Sequence, residues 1–257
     1  LAIVWEAGMF RKELASYGLS GGDRVALTGA SVLGEAYSEM AAHLASPRPL
    51  FHTKTDAPLE LGVALLVQPA ILATGEIGAK TPELVYHLAA AHAAASPDLV
   101  LAANLPEPIL KRLFEALDAA FGPVRPRADD APTSSTDAFK ADVARIAAEL
   151  WQRVNPRSER RLREICEGEP LEPERARQSA RRAMRRAGLF ASGDLALALK
   201  ILAEDEGTPS LDGRGDGALE DACRDSEGAA DLVRLATRLE YAEARWQLPA
   251  PGSVRRG

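Results

Sequence analysis

The sequence predicts an α+β fold, predominantly helical, with helices packed on a small three-stranded sheet. Three observations carry that prediction. Alanine and leucine dominate the 257 residues while aromatics stand at 5%, which suits close-packed helices better than strands rich in valine, isoleucine and aromatic side chains. Apolar residues recur at helical spacing through most of the chain. The best strand candidates are three short runs: LFHT at 50–53, LGVALLV at 61–67 and AILAT at 70–74, with KTDAP and QP as breaks between them.

Taken in order, residues 3–17 place Ile3, Val4, Met9, Phe10 and Leu14 at roughly helical spacing, and Ser20-Gly21-Gly22 stops that element. Asp23 to Leu27 reads as a short strand or lead-in. TGASVLGEAYSEMAAHLAS then reads as a glycine and serine turn entering a helix that ends before Pro47, with Leu33, Ala36, Tyr37, Met40, Ala41 and Leu44 on one apolar face. After the three strands a helix is expected over 82–95, because Thr81 is a suitable N-cap, Pro82 suits the first helical position and Glu83 complements the positive end of the dipole. A short helix, a proline-marked corner and an amphipathic helix follow, the last with Ile109, Leu113, Leu117 and Phe121 on its inner face.

RPRADDAPTSSTD, from Arg125 to Asp137, is polar and unpatterned, so it divides the chain. Residues 1–124 are expected to form a main α+β domain, 125–137 a linker or mobile loop, 138–248 a helical region packing on the main domain, and 249–257 a flexible tail. Within 138–248, three stretches are helical by period, Gly188 and Gly193 bracket a turn, residues 207–217 form a loop, and the last patterned stretch forms two short helices.

Composition narrows the function classes. With 46% hydrophobic residues and a formal net charge of -6, the chain is expected to fold and bury a substantial core. Cys166 and Cys223 lie far apart without ligand spacing, which fits free thiols in a reducing compartment rather than a disulfide framework or zinc knuckle. No apolar run reaches the roughly 18 residues a membrane span needs. A soluble, cytoplasmic protein is the expectation. The chain begins at Leu1 without a signal-peptide pattern, as expected for a piece of something longer.

The histidines raise the question of metal chemistry. A zinc helix needs two imidazoles at i and i+4, about 40° apart around the axis, with a glutamate beside the first to activate water. His87 and His92 are five apart, about 140° around a regular helix, and Leu88 stands where the glutamate would follow. LVQPAILATGEIGAKTPELVYHLAAAHAAASPD nevertheless resembles the strand, turn and active-site helix of HExxH metallopeptidases. Matching Glu83 and Leu84 to the family's opening Glu-Leu places Ala90 and Ala94 at the two ligands and Ala91 at the glutamate. The resemblance thus implies a degenerate, zincin-like core that has lost its metal and binds no cofactor.

A second resemblance covers residues 1 to about 245. FRKELASYGLSGGDRV, PLFHT, TPELVYHLAAAHAAASPD, FEALDAAFGP and ARQSARRAMRRAGLFASGDLALALKILAED together are similar to the globular region that follows tetratricopeptide repeat arrays in large proteins of myxobacteria and related bacteria. It implies a module fused to a protein-binding scaffold, with a repeat array as neighbour. No 34-residue helical repeat is visible within the chain itself.

Other motifs are weaker. TGASVLG lacks the partner lysine of a nucleotide cradle, and no acidic residue stands at a second strand to complete one. Ser31 and Ser192 lack a G-x-S-x-G elbow, and none of His43, His52, His87 and His92 is spaced as a base. The arginine run is more notable: Arg175, Arg177, Arg181, Arg182, Arg185 and Arg186, preceded by Arg157, Arg160, Arg161 and Arg163. Interspersed glutamates and the lack of interleaved aromatics point away from nucleic acid and toward ion pairs within the chain or an acidic protein partner.

These readings lead to a noncatalytic interaction or scaffold module of a larger protein. Its candidate interface is formed by the 175–186 arginines with Trp151, Phe190 and Trp246. The competing reading is an atypical hydrolase using His87, with His92 and His52 as further site candidates and ligands from distant segments.

Overall fold

The computed structural model describes residues 1–27, 31–44, 47–123, 137–168, 170–209 and 217–246. The expected linker at 125–136, the 249–257 tail, Thr28 to Ala30 of the glycine turn, most of the 207–217 loop and the His43 side chain lie outside the described residues.

In chain order the elements are α1 (Ala2–Glu6), α2 (Val32–His43), β1 (Leu50–Thr53), β2 (Glu60–Ala64), β3 (Ala70–Thr74), α3 (Pro82–Ala94), α4 (Val100–Asn104), α5 (Glu107–Phe121), α6 (Asp137–Arg153), α7 (Pro156–Cys166), α8 (Pro173–Ser192), α9 (Leu195–Glu206), α10 (Ala218–Asp225), α11 (Glu227–Ala236) and α12 (Leu239–Trp246). The protein is α+β and predominantly helical, as the composition predicts. Contacts divide the chain into two compact units that alternate in sequence: Leu1–Lys12 with Ser96–Ala180, and Glu13–Ala95 with Arg181–Gly257. The divisions fall after residues 12, 95 and 180.

The sheet belongs to the second of these units. Its order is β1-β3-β2, with β1 parallel to β3 (Leu50 opposite Ile71) and β2 antiparallel to β3 (Gly62 opposite Leu72). Because strand side chains alternate faces, Leu50, Ile71 and Ala73 point to one side and pack with Leu33, Tyr37 and Met40 of α2 and Leu84 and Leu88 of α3. Phe51 and Leu72 point to the other side and meet Leu14, Tyr17 and Leu19. Both faces are covered, which explains strands that read as nearly continuous apolar runs.

The strand expected over 61–67 is shorter at its end. It pairs only as far as Ala64, opposite Ala70, where its partner begins. The Leu65 N–H then turns to the Tyr17 hydroxyl at 2.8 Å, and Val67 is exposed.

α3 begins where its signals placed it, with Thr81 Oγ1 accepting from the Leu84 N–H at 3.1 Å and Pro82 in the first turn. Three helical expectations need correction. The 3–17 element stops at Glu6, because Gly8 and Phe10 take positive φ values of 82° and 63°, and a short 3-10 helix follows at Leu14–Tyr17. α8 runs unbroken through Gly188 to Ser192. Gly188 is not a turn residue: an added Cβ would sit 2.6 Å from the buried Tyr86 ring, so glycine here permits close approach to α3. The stretch after 217 forms three helices rather than two, because Ser226 leaves helical geometry and its hydroxyl oxygen caps α11 through the Ala229 N–H at 3.1 Å.

In the other unit α5 packs against α6 and α7. Leu113, Leu117 and Phe121 are buried as their spacing predicts, together with Leu110, Ile146, Leu150 and Leu162.

Candidate functional site

α3 carries two of the histidines but presents them to different surroundings. His92 is buried and its Nδ1 lies 3.2 Å from the hydroxyl of Tyr37 on α2. That hydroxyl oxygen accepts the backbone N–H of Arg48 at 2.8 Å, so the Tyr37 hydroxyl joins the buried imidazole to the Arg48 backbone. Burial, reinforced by the nearby Arg48 guanidinium, lowers the His92 pKa to about 4. His92 is therefore a neutral hydrogen-bond partner in the core at ordinary pH. Burial also raises the Tyr37 pKa, against the smaller opposing effect of Arg48.

His87 is half-buried one position beyond Tyr86, edge-on to its ring at 5.5 Å. His52 on β1 is engaged elsewhere: its Nε2–H donates to the Gly75 carbonyl at 2.8 Å. Each of the three candidate histidines thus has a different partner. Among the described residues no group of three His, Cys, Asp or Glu side chains is placed to hold a metal ion.

The candidate arginine face of α8 is largely occupied. Arg186 makes a bidentate pair with Asp231 of α11, Nε to Oδ2 at 2.8 Å and Nη2 to Oδ1 at 2.6 Å, and Arg182 joins the same carboxylate. Arg185 pairs with Glu206 of α9 at 3.1 Å. Arg177 donates to the Leu105 carbonyl at 2.6 Å, Arg175 also makes an interaction, and Arg181 is exposed. Burial alone would raise the Asp231 pKa; the hydrogen bonds and charges of Arg186 and Arg182 outweigh it and hold the carboxyl below its ordinary range. Three of these arginines therefore tie α8 to α9 and α11.

The aromatic candidates differ among themselves. Phe190 stands edge-on to Tyr241 at 6.0 Å, and the Tyr241 hydroxyl donates to the Leu189 carbonyl at 3.3 Å, so this pair is packed structure. Trp246 is 90% exposed. Trp151, at the end of α6, is 46% exposed, with one side against Phe121 at 5.3 Å and the Arg163 guanidinium 5.1 Å from its ring.

Two features stand out that the sequence reading did not rank as sites. On α7, Arg157, Arg160 and Arg161 are exposed and make no ion pair among the described residues, and Ile165 on the same helix is 45% exposed. The spacing 157, 161, 165 marks one face of a helix, a signal present in the sequence but overshadowed by the denser run on α8. Arg48 is the second. It lines a cavity of about 490 Å³ with Arg24 and Leu50, and nothing in the string SPRPLF distinguishes it from an ordinary surface arginine.

Compared with protein-family models, with curated proteins and with solved structures, the chain matches none of them. Among the described residues no helix is long and apolar enough to cross a membrane.

Proposed function

We propose that this chain is a noncatalytic protein–protein interaction module that receives an acidic partner segment along the exposed face of α7, beside Trp151. The observation that carries the reading is the combination on α6 and α7 of three exposed arginines that make no ion pair among the described residues with two half-exposed large apolar side chains, Trp151 and Ile165. Tryptophan and arginine dominate the energetic centres of protein interfaces. A guanidinium already stacked on the indole, as Arg163 is, holds that ring in place before a partner arrives. Unpaired exposed arginines supply the electrostatic steering that acidic partners use.

The reading favours α7 over α8 because charge already neutralised within the chain adds little to recognition. It extends to the larger context: a module working beside a repeat array in a longer protein, cytoplasmic, with the metallopeptidase-like layout of α3 retained as scaffold rather than as chemistry.

The test is fluorescence anisotropy with labelled peptides rich in aspartate and glutamate and carrying one or two leucine or phenylalanine residues, against basic peptides of the same length. Saturable binding of the acidic set is expected, weakened about tenfold by Trp151→Ala and lost in the double variant Arg160→Glu, Arg161→Glu. Equal binding of acidic and basic peptides, or acidic binding that ignores all three substitutions, would reject the α7 surface.

A further inference from the structure

At the free edge of β1 the backbone of residues 24 and 25 runs antiparallel to the strand. Arg24 bridges to Phe51, and the Val25 N–H donates to the Leu50 carbonyl at 2.8 Å. Between this segment and Arg48, which immediately precedes the strand region, lies the cavity of about 490 Å³. Among the described residues its charged lining residues are Arg24 and Arg48, and the remainder of the lining is glycine, alanine, valine, leucine and proline.

Arg48 is held unusually for an arginine. Its backbone N–H is tied to the Tyr37 hydroxyl, its Nε is shielded from solvent, and that Nε has no hydrogen-bond partner. Neither Arg48 nor Arg24 makes an ion pair among the described residues, whereas Arg182, Arg185 and Arg186 of the same unit do. Asp23, the nearest carboxylate in sequence, accepts at Oδ2 from the backbone N–H and hydroxyl of Ser20 at 2.7 and 2.8 Å, and it makes no ion pair with either arginine among the described residues. A half-buried guanidinium normally finds a counter-charge, because removing it from water without one is costly. Desolvation indeed lowers the Arg48 pKa, with Tyr37 the smaller, opposing influence. The neighbouring histidine cannot supply the counter-charge, being neutral or cationic.

We propose that this cavity is a binding site for a dianionic phosphate group, held between the guanidinium groups of Arg48 and Arg24. Two cations match a dianion better than a single carboxylate, and guanidinium presents a planar fork of donors suited to phosphate oxygens. The volume exceeds what a bare phosphate needs and lies within the range of small-molecule sites. The apolar lining from Val25, Leu27, Pro49 and Leu50 suits an organic group esterified to the phosphate. The site lies apart in the sequence from α7 and stands whether or not α7 binds a peptide.

The experiment is a titration of the full chain with inorganic phosphate and separately with phenyl phosphate, followed by backbone amide shifts in nitrogen–proton correlation spectra. Saturable shifts confined to 21–27 and Leu50 are expected, with affinity falling about tenfold or more in Arg48→Gln and in Arg24→Gln. Tighter binding of phenyl phosphate assigns the site to a phosphate ester, and equal affinity assigns it to the free ion. Arg48→Lys, which keeps the charge but loses the fork, is expected to retain part of the affinity and guards against a folding defect in the glutamine variant. Absence of saturable shifts in the unsubstituted chain, or equal affinity in folded Arg48→Gln, overturns the proposal.

Discussion

Asp231 receives both arms of the Arg186 guanidinium, at 2.8 and 2.6 Å, across 45 residues of sequence. The carboxylate is only 5% exposed, while both of its arginine partners reach solvent. That asymmetry sets the expected mutational response. Asp231→Ala removes the shared acceptor and leaves two neighbouring cations facing each other. It is expected to cost about 2–3 kcal/mol, toward the lower end for a buried pair because the arginines can rehydrate. Arg182→Ala, which removes the more exposed partner, is expected to cost under about 1 kcal/mol. Urea denaturation of the two variants measures both, and equal losses would contradict the ranking.

The buried His92 makes stability depend on pH. Its folded pKa of about 4 lies below the ordinary value of 6.5, so on acidification the unfolded chain takes up the proton first. The contribution of His92 is complete above about pH 6.5 and is lost as pH falls from there toward 4. On the order of 2 kcal/mol is expected to disappear over this window. Asp231, whose folded pKa is lowered, gives its contribution above the ordinary carboxylate value of 3.8 and loses it only as pH falls below that, so the two windows separate. Thermal midpoints recorded from pH 7 to 4 should flatten in His92→Leu; an unchanged slope would remove His92 as the cause.

Gly188 offers a test in which helix propensity and packing oppose each other. Alanine in mid-helix is favoured by about 1 kcal/mol over glycine. Here, however, its methyl would enter the Tyr86 ring, which is buried and unable to swing away. Overpacking of this kind costs about 1–3 kcal/mol. Gly188→Ala is therefore expected to lower the denaturation midpoint, and the double variant Gly188→Ala, Tyr86→Leu to recover part of the loss relative to Tyr86→Leu alone.

The three candidate histidines are expected to behave differently on truncation. His52→Ala leaves the Gly75 carbonyl without its donor and should cost about 1 kcal/mol. His87→Ala, at a half-buried position with a ring contact, should cost about 0.5 kcal/mol or less. Zinc added to the unsubstituted chain should raise the thermal midpoint by no more than it does in His87→Ala. A zinc-dependent rise abolished by that substitution would restore a metal-binding reading of α3.

Much of the fold was legible because its cues are local. Thr81, Pro82 and Glu83 mark the start of α3 within one turn, and the strands β1 and β3 were bounded by their breaks. Errors arose where a distant partner decided the outcome. Gly188 reads as a helix breaker until Tyr86 is placed against it. Leu65 to Val67 read as strand until β3 proves too short to pair with them. Ser226 was a cap hidden in an otherwise helical pattern, and its hydroxyl also donates to Glu206 at 2.8 Å, a contact 20 residues away.

For the candidate site the sequence alone determined the histidine spacing: His87 and His92, five residues apart on α3, stand about 140° apart around a regular helix. It also determined the α+β class, since composition and periodicity act within a few residues of chain. Only the tertiary structure decided which arginines are consumed and which are left. Asp231 and Glu206 neutralise Arg182, Arg185 and Arg186 on α8, while among the described residues Arg24, Arg48 and the α7 residues Arg157, Arg160 and Arg161 make no ion pair. The physical reason is that charge compensation depends on distance in space, and residues far apart in the chain become neighbours only when the helices and sheet pack.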